Sequence, residues 1–418
     1  MNTLKIVKFL YILFSIYILL AIFSTTLSLF YIIPSIIMLW LNYIFFNLGI
    51  RSFNLKQTNF NRKAQNTQPL LFRLSKMKLM FVIIIVNVFS ILATNYYTGQ
   101  TPISLMQLFL DGGSQYNQYQ EYFRTNNLSQ FNLSKIPYVL MLFIIKFVLI
   151  YSYITVFTHN KKISKFNLFF IIMISIPHIY FGQARGTNFE LFEIVILIIF
   201  IIFVRQKIYA TKKLNLSNYL KITFVILIMI FIFNFMLGLR GVEFNQHITN
   251  DIQYNSNEIL PKISQELSIF ILSIFNYLGF GFFYTSTYIQ EIWFSSSTNL
   301  ISGFFPGMLN SNLNLTQSVR SLIDVGVKWT PDSMKLIENY GYIGLLLFCF
   351  LLGFLSKYTY QSMHSRSVVY IINFLIVLQM FSLPIGKLIL TTSATKLIVL
   401  VVILILLWEK TIGKKIVL

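Results

Sequence analysis

IPYVLMLFIIKFVLIYSYITVF, residues 136–157, decides the fold class. It is long enough for a helix to cross the hydrocarbon core of a bilayer, which takes about 20 apolar residues. One charge interrupts it, Lys146. An ammonium at mid-span is costly in hydrocarbon, so Lys146 is expected to face a water-filled cavity or a carboxylate. Similar runs recur at about 9–26, 28–48, 79–95, 166–182, 189–204, 222–239, 341–356, 368–383 and 391–408. Charged residues make up only 11% of the chain and hydrophobic ones 56%, whereas soluble domains are roughly 25% charged. The expected fold is all-α: a polytopic helical membrane protein of about ten spans, residues 1–418 forming one membrane domain with loop insertions.

The formal charge of +20 is explained by topology. Taking alternate gaps between spans from the N-terminus onward, 22 of the 33 Lys and Arg fall in them, against one carboxylate, Glu409. Such enrichment marks cytoplasmic loops. Ten spans with both termini cytoplasmic satisfy every gap, with Lys5 and Lys8 preceding an uncleaved signal anchor. Nucleic acid need not be invoked as a partner. Three outer segments follow: a polar loop at 96–135, a short link at 183–188 and a large loop at 240–340. The large loop, extended to Gly341, holds 8 of the 13 carboxylates. Its apolar, aromatic part at 267–294 is expected to be an interfacial or re-entrant helix, because a further span would carry the basic gap at 357–366 outside.

Several chemistries are absent from the pattern. Cys349 is the single cysteine, inside a span, so neither an intrachain disulfide nor a thiolate metal site can form. No glycine-rich phosphate loop occurs, and Gly279-Phe280-Gly281 lacks the third glycine of a dinucleotide fingerprint. An Asp-x-Asp pair for a divalent cation is missing, and His159, His178, His247 and His364 are too scattered for metal-ligand spacing. No cofactor or metal is expected. Any reaction must draw its driving force from the substrate, on the outer face.

The residues left to carry chemistry sit at outer ends of spans. Arg185 and Arg240 are each followed by glycine, Gly186 and Gly241, which would let a partner approach the backbone. Two guanidinium groups can grip a lipid pyrophosphate through planar, matched donors. Equally, Glu190 or Glu193 could simply pair with Arg185. Asp332 and Glu338 precede the eighth span, with Arg320 nearby; either carboxylate could serve as a general base, or the stretch could be a solvated acidic turn in which Pro331 starts a helix with Asp332 near its N-terminus. His178, beside Pro177, is either a satisfied polar residue or part of a pathway lining.

An outer Arg-Gly, a second Arg-Gly opening a large outer loop, and the loop ending Glu-Asn-Tyr-Gly-Tyr-Ile-Gly at 338–344 together resemble the Wzy-type polymerases of lipid-linked oligosaccharide repeat units, which build bacterial O-antigen and capsule. The resemblance implies a C-type glycosyltransferase. Its substrates would be undecaprenyl-pyrophosphate-linked oligosaccharides, with Arg185, Arg240 and Arg320 on pyrophosphate and Asp332 or Glu338 as the base. It also implies a chain-length-regulating co-polymerase as partner. Related O-antigen ligases carry a His-Asn pair where this chain has Thr330 and Pro331, which favours polymerase over ligase. The Arg-x10-Gly pattern of some polymerases is absent. A lipid-linked oligosaccharide flippase or another secondary carrier is the rival. It accounts for Lys146, His178 and Arg185 as cavity residues but not for a large outer loop, since carriers bind near the midplane.

Overall fold

The computed structural model describes residues 2–25, 29–52, 74–110, 115–128, 132–159, 163–187, 189–209, 254–274, 281, 285, 331–362, 366–386 and 392–412. The architecture is all-α. The helices are α1 Asn2–Ile22, α2 Leu29–Arg51, α3 Lys76–Thr98, α4 Pro102–Leu110, α5 Gln115–Thr125, α6 Ile136–His159, α7 Lys165–Ala184, α8 Phe189–Tyr209, α9 Ile259–Ile263, α10 Gln265–Ile274, α11 Asp332–Ser362, α12 Arg366–Ser382 and α13 Ser393–Ile412. A helix stands at nine of the ten expected spans; the tenth, 222–239, lies outside the described residues. Six stretches among the described residues are long and apolar enough to cross a membrane: Thr3–Ile22, Ile32–Arg51, Lys76–Thr98, Leu133–His159, Lys165–Ala184 and Tyr340–Gln361. The apolar parts of α12 and α13 are shorter. Helix α8 is long enough but carries Glu190, Glu193 and Arg205 in its length.

Two packing devices build the bundle. Helix α2 runs along α11 with backbones in contact. A Cβ on Gly49 would stand 2.0 Å from the Phe350 carbonyl oxygen, and one on Gly353 would stand 2.0 Å from that of Phe46. Small residues at this crossing let van der Waals packing replace a hydrophobic drive that lipid cannot supply. The second device is α12, buried nearly all round because its sequence is apolar on every face. Its one amide at mid-helix, Asn373, is fully used. Oδ1 accepts from Thr3 Oγ1 (3.0 Å) and from Ser356 Oγ, and Nδ2 donates to Thr359 Oγ1 (3.1 Å) and the Val369 carbonyl (2.8 Å). That network ties α1, α11 and α12.

The loop segment 254–274 caps the C-terminal end of α1. The Phe23 and Ser24 carbonyls accept from Leu260 N (3.1 Å) and Asn255 N (3.2 Å), and Tyr17 Oη donates to the Ile271 carbonyl (2.5 Å). Helix α10 thus packs on α1. It covers the start of the 267–294 stretch expected to be interfacial; apart from Gly281 and Thr285, the rest of that stretch lies outside the described residues. Gly341, at φ 70° and ψ 178°, breaks α11 into a short lead-in at 332–340 and a span at 342–362.

Candidate functional site

The site is built on the α7–α8 hairpin. Helix α7 starts at Ser164, whose Oγ accepts from Asn167 N (3.1 Å), satisfying one of the orphan donors at a helix N-terminus. Pro177 has no N–H to offer the Met173 carbonyl one turn back; Ser90 Oγ of α3 donates to the Pro177 carbonyl itself at 2.8 Å, which ties α3 to α7. The helix ends in a Schellman turn. Gly186 N donates to the Gln183 carbonyl (2.8 Å) and Thr187 N to the Gly182 carbonyl (2.9 Å), with Gly186 at φ 63°. Gly186 therefore serves the left-handed position that closes α7.

The turn folds α8 back along α7. His178, Phe181, Gly182 and Arg185, spaced along one face of α7, then meet Glu190 and Glu193 on α8. Two rungs result. Arg185 Nη1 lies 3.4 Å from Glu190 Oε1, while Glu190 Oε2 accepts from Thr187 Oγ1 at 2.8 Å. Gly182 is the residue that makes room, since a Cβ there would stand 2.7 Å from Glu190 Oε2. Deeper in, Glu193 bridges two groups: Oε1 lies 2.7 Å from Lys146 Nζ of α6, and Oε2 lies 3.1 Å from His178 Nε2. Lys146 thus meets both expectations set by its mid-span position, a carboxylate and a cavity.

The cavity has a volume of about 230 Å³. Lys146, His178, Arg185, Glu190 and Glu193 line it together with Tyr97, Tyr119 and Phe123, and with Thr392, Ser393 and Ala394 at the start of α13. Contributions come from the C-terminal ends of α3 and α7, the N-terminal ends or halves of α6, α8 and α13, and the loop helix α5. Those are the ends joined by gaps poor in Lys and Arg. The Arg185 guanidinium is held between Phe181, 5.0 Å from the ring centre, and Tyr119 at 5.7 Å. Cation–π contact of this kind fixes the plane without consuming N–H donors. Arg185 Nε meets no hydrogen-bond partner among the described residues. The two carboxylates balance Lys146 and Arg185, so the cavity holds paired charges and aromatic walls, with donors of Arg185 to spare for an anion. Among the described residues, no three His, Cys, Asp or Glu side chains gather as a metal site would require.

The other expected site residues fall elsewhere. Asp332 is fully buried at the start of α11 and is not part of the cavity lining. Its Oδ2 accepts from Ser382 Oγ (3.2 Å) and Gln379 Nε2 (3.4 Å) of α12, and Ser333 N donates to the Leu383 carbonyl (2.9 Å). A helix does start after Pro331 with Asp332 in its first turn, where the dipole favours a carboxylate, but this carboxyl is buried and not solvated. Glu338 lies within α11, with its side chain outside the described residues; Arg240 and Arg320 lie outside them entirely. The residue that sequence reasoning undervalued is Glu193. The signal was present: a carboxylate three residues after Glu190, inside an apolar run, in a chain whose span 136–157 carries an isolated lysine. No family model, no curated protein and no solved structure matches this chain.

Proposed function

We propose that this chain is a C-type, metal-independent glycosyltransferase of the bacterial plasma membrane, with ten spans and both termini cytoplasmic. It would polymerise oligosaccharide repeat units carried on undecaprenyl pyrophosphate, at the outer face. The observation that carries the reading is Arg185: a guanidinium lying over the rings of Phe181 and Tyr119, in the wall of a cavity at the end of the bundle that basic loops avoid. A fixed fork of donors suits the phosphate oxygens of a lipid pyrophosphate, and charge develops on those oxygens as the glycosyl bond breaks. Aromatic walls at Tyr97, Tyr119 and Phe123 suit the apolar faces of sugar rings. Arg240 and Arg320 would complete the grip on donor and acceptor pyrophosphates. Asp332, buried at the start of α11, does not line this cavity and gives way to one of the cavity's own groups as the base; a co-polymerase would set chain length.

The test is reconstitution. Purified protein incubated with lipid-linked repeat units, without nucleotide, should release polymer. Arg185→Lys should cut polymer sharply while the protein stays in the membrane, because a point charge replaces a planar fork. Polymer at wild-type levels from Arg185→Lys would remove the arginine from the mechanism.

One observation favours a second reading, a lipid-linked oligosaccharide flippase or another secondary carrier. Lys146, Glu193 and His178 form a buried ionisable cluster inside the bundle, as ion-coupled carriers have. Cells lacking a polymerase display single repeat units at the surface; cells lacking a flippase display none.

A further inference from the structure

We infer that His178 is the general base of this cavity, held in place by Glu193; the inference rests on the polymerase reading and supplies the acid–base group that reading needs. The carboxylates and cations that line the cavity are already engaged with one another. Both oxygens of Glu193 are engaged, by Lys146 Nζ at 2.7 Å and His178 Nε2 at 3.1 Å. Both oxygens of Glu190 are engaged too, by Arg185 Nη1 at 3.4 Å and Thr187 Oγ1 at 2.8 Å. Lys146 and Arg185 are committed as cations to those carboxylates, and Asp332 lies off the cavity. His178 Nε2 faces a carboxylate oxygen, so Nε2 is the nitrogen that donates and Nδ1 is the one left to take up a proton. Among the described residues Nδ1 meets no hydrogen-bond partner, and His178 lines the cavity.

The arrangement repeats the logic of a carboxylate that orients an imidazole while the far nitrogen accepts a proton. Lys146 keeps Glu193 charged inside the bundle, so the orienting carboxylate survives burial. His178 and Arg185 are seven residues apart on α7, two turns on one face, which separates them by about 10 Å along the axis. The attacking hydroxyl and the leaving oxygen share one anomeric carbon, so His178 would stand at that carbon while the pyrophosphate extends from it toward Arg185. In the step, His178 Nδ1 takes the proton of the acceptor hydroxyl as its oxygen bonds to the donor's anomeric carbon. The bond from that carbon to the pyrophosphate oxygen breaks, and the electron pair leaves with the pyrophosphate, beside Arg185. The lipid pyrophosphate departs as an anion, and His178 returns its proton to solvent through the cavity.

The experiment uses full-length protein in lipid nanodiscs with lipid-linked repeat units. His178→Ala should lower kcat by about a hundredfold or more, the usual range for a positioned base, with KM for the repeat unit unchanged. Added imidazole should restore part of that rate, a recovery that a misfolded variant would not show. Glu193→Gln, acting through His178, should lower kcat with unchanged KM. Wild-type kcat in either variant overturns the assignment, as does a His178→Ala protein that binds the repeat unit but is not rescued by imidazole. Absence of polymer from wild-type protein is a separate result: it sinks the polymerase reading, and this inference with it.

Discussion

Two helix pairs in this bundle use glycine to opposite ends. Between α2 and α11, Gly49 and Gly353 bring backbone against backbone: the nearest atoms to a Cβ at either position are backbone atoms of the facing helix. Between α7 and α8, Gly182 leaves room for the Glu190 carboxyl, and the neighbouring positions hold Arg185, His178, Glu193 and Lys146. The first contact is dry and the second borders a cavity. The lesson is that a glycine in a membrane helix is not itself informative; what it admits is. Where it admits a carbonyl, the gain is close packing. Where it admits a carboxylate beside water-accessible space, the fold is accepting a desolvation cost that packing alone could avoid, and function is the reason to look for.

The comparison breaks first at the dry contact. Gly353→Leu would drive a branched side chain into the Phe46 carbonyl, from which even a Cβ would be 2.0 Å away. No flexible side-chain end is available to yield, so α2 and α11 must separate along the most extensive helix contact among the described residues. The expected outcome is loss of folded protein from the membrane, measured by detergent-extracted monodisperse yield. A normal yield would mean that this crossing is not what holds the two helices. At the wet contact the damage should be smaller and reversible by a second change. Lys146→Met strands the Glu193 charge with His178 alone and should cost about 3–5 kcal/mol, the range for breaking a buried pair. Adding Glu193→Gln removes the stranded charge and should recover most of that loss. Unfolding in bicelles measures both. A double variant no more stable than Lys146→Met would show that the pair is not an energetic unit.

How much of this was legible beforehand differs between the two contacts. The apolar runs set the helices, because a backbone in lipid must bond to itself and length alone then marks a span. The cavity end was legible in the loop charges, since every segment lining it ends at a gap poor in Lys and Arg. Lys146 announced a partner but could not name it: in sequence it is 47 positions from Glu193, and only the packing of α6 on α8 joins them. Arg185 was read as open to a ligand or paired with Glu190 or Glu193; the geometry gives Glu190 and leaves donors over. Asp332 misled because an acidic residue after proline before a span looks solvated, whereas the end of α12 folds over it and buries it. Gly49 and Gly353 carried no signal at all, because a glycine at a helix crossing and one in a loose helix read alike in a single sequence.

The smallest effect tests the turn that sets the register of the wet contact. Gly186 stands at φ 63°, in the left-handed region that an alanine enters only at a cost of about 1 kcal/mol. Gly186→Ala should lower stability by about that amount. The strain can be relieved only by loosening the two hydrogen bonds of the Schellman turn, from Gly186 N and Thr187 N. Loosening them moves Thr187, which holds Glu190 Oε2 at 2.8 Å, while the deeper Glu193 rung is anchored independently by Lys146. The variant should therefore weaken the grip on the lipid pyrophosphate at Arg185, raising KM for the donor, while kcat stays near its wild-type value. A fall in kcat with KM unchanged would show the opposite coupling, with the turn setting the His178–Glu193 rung and the Arg185 rung merely following it.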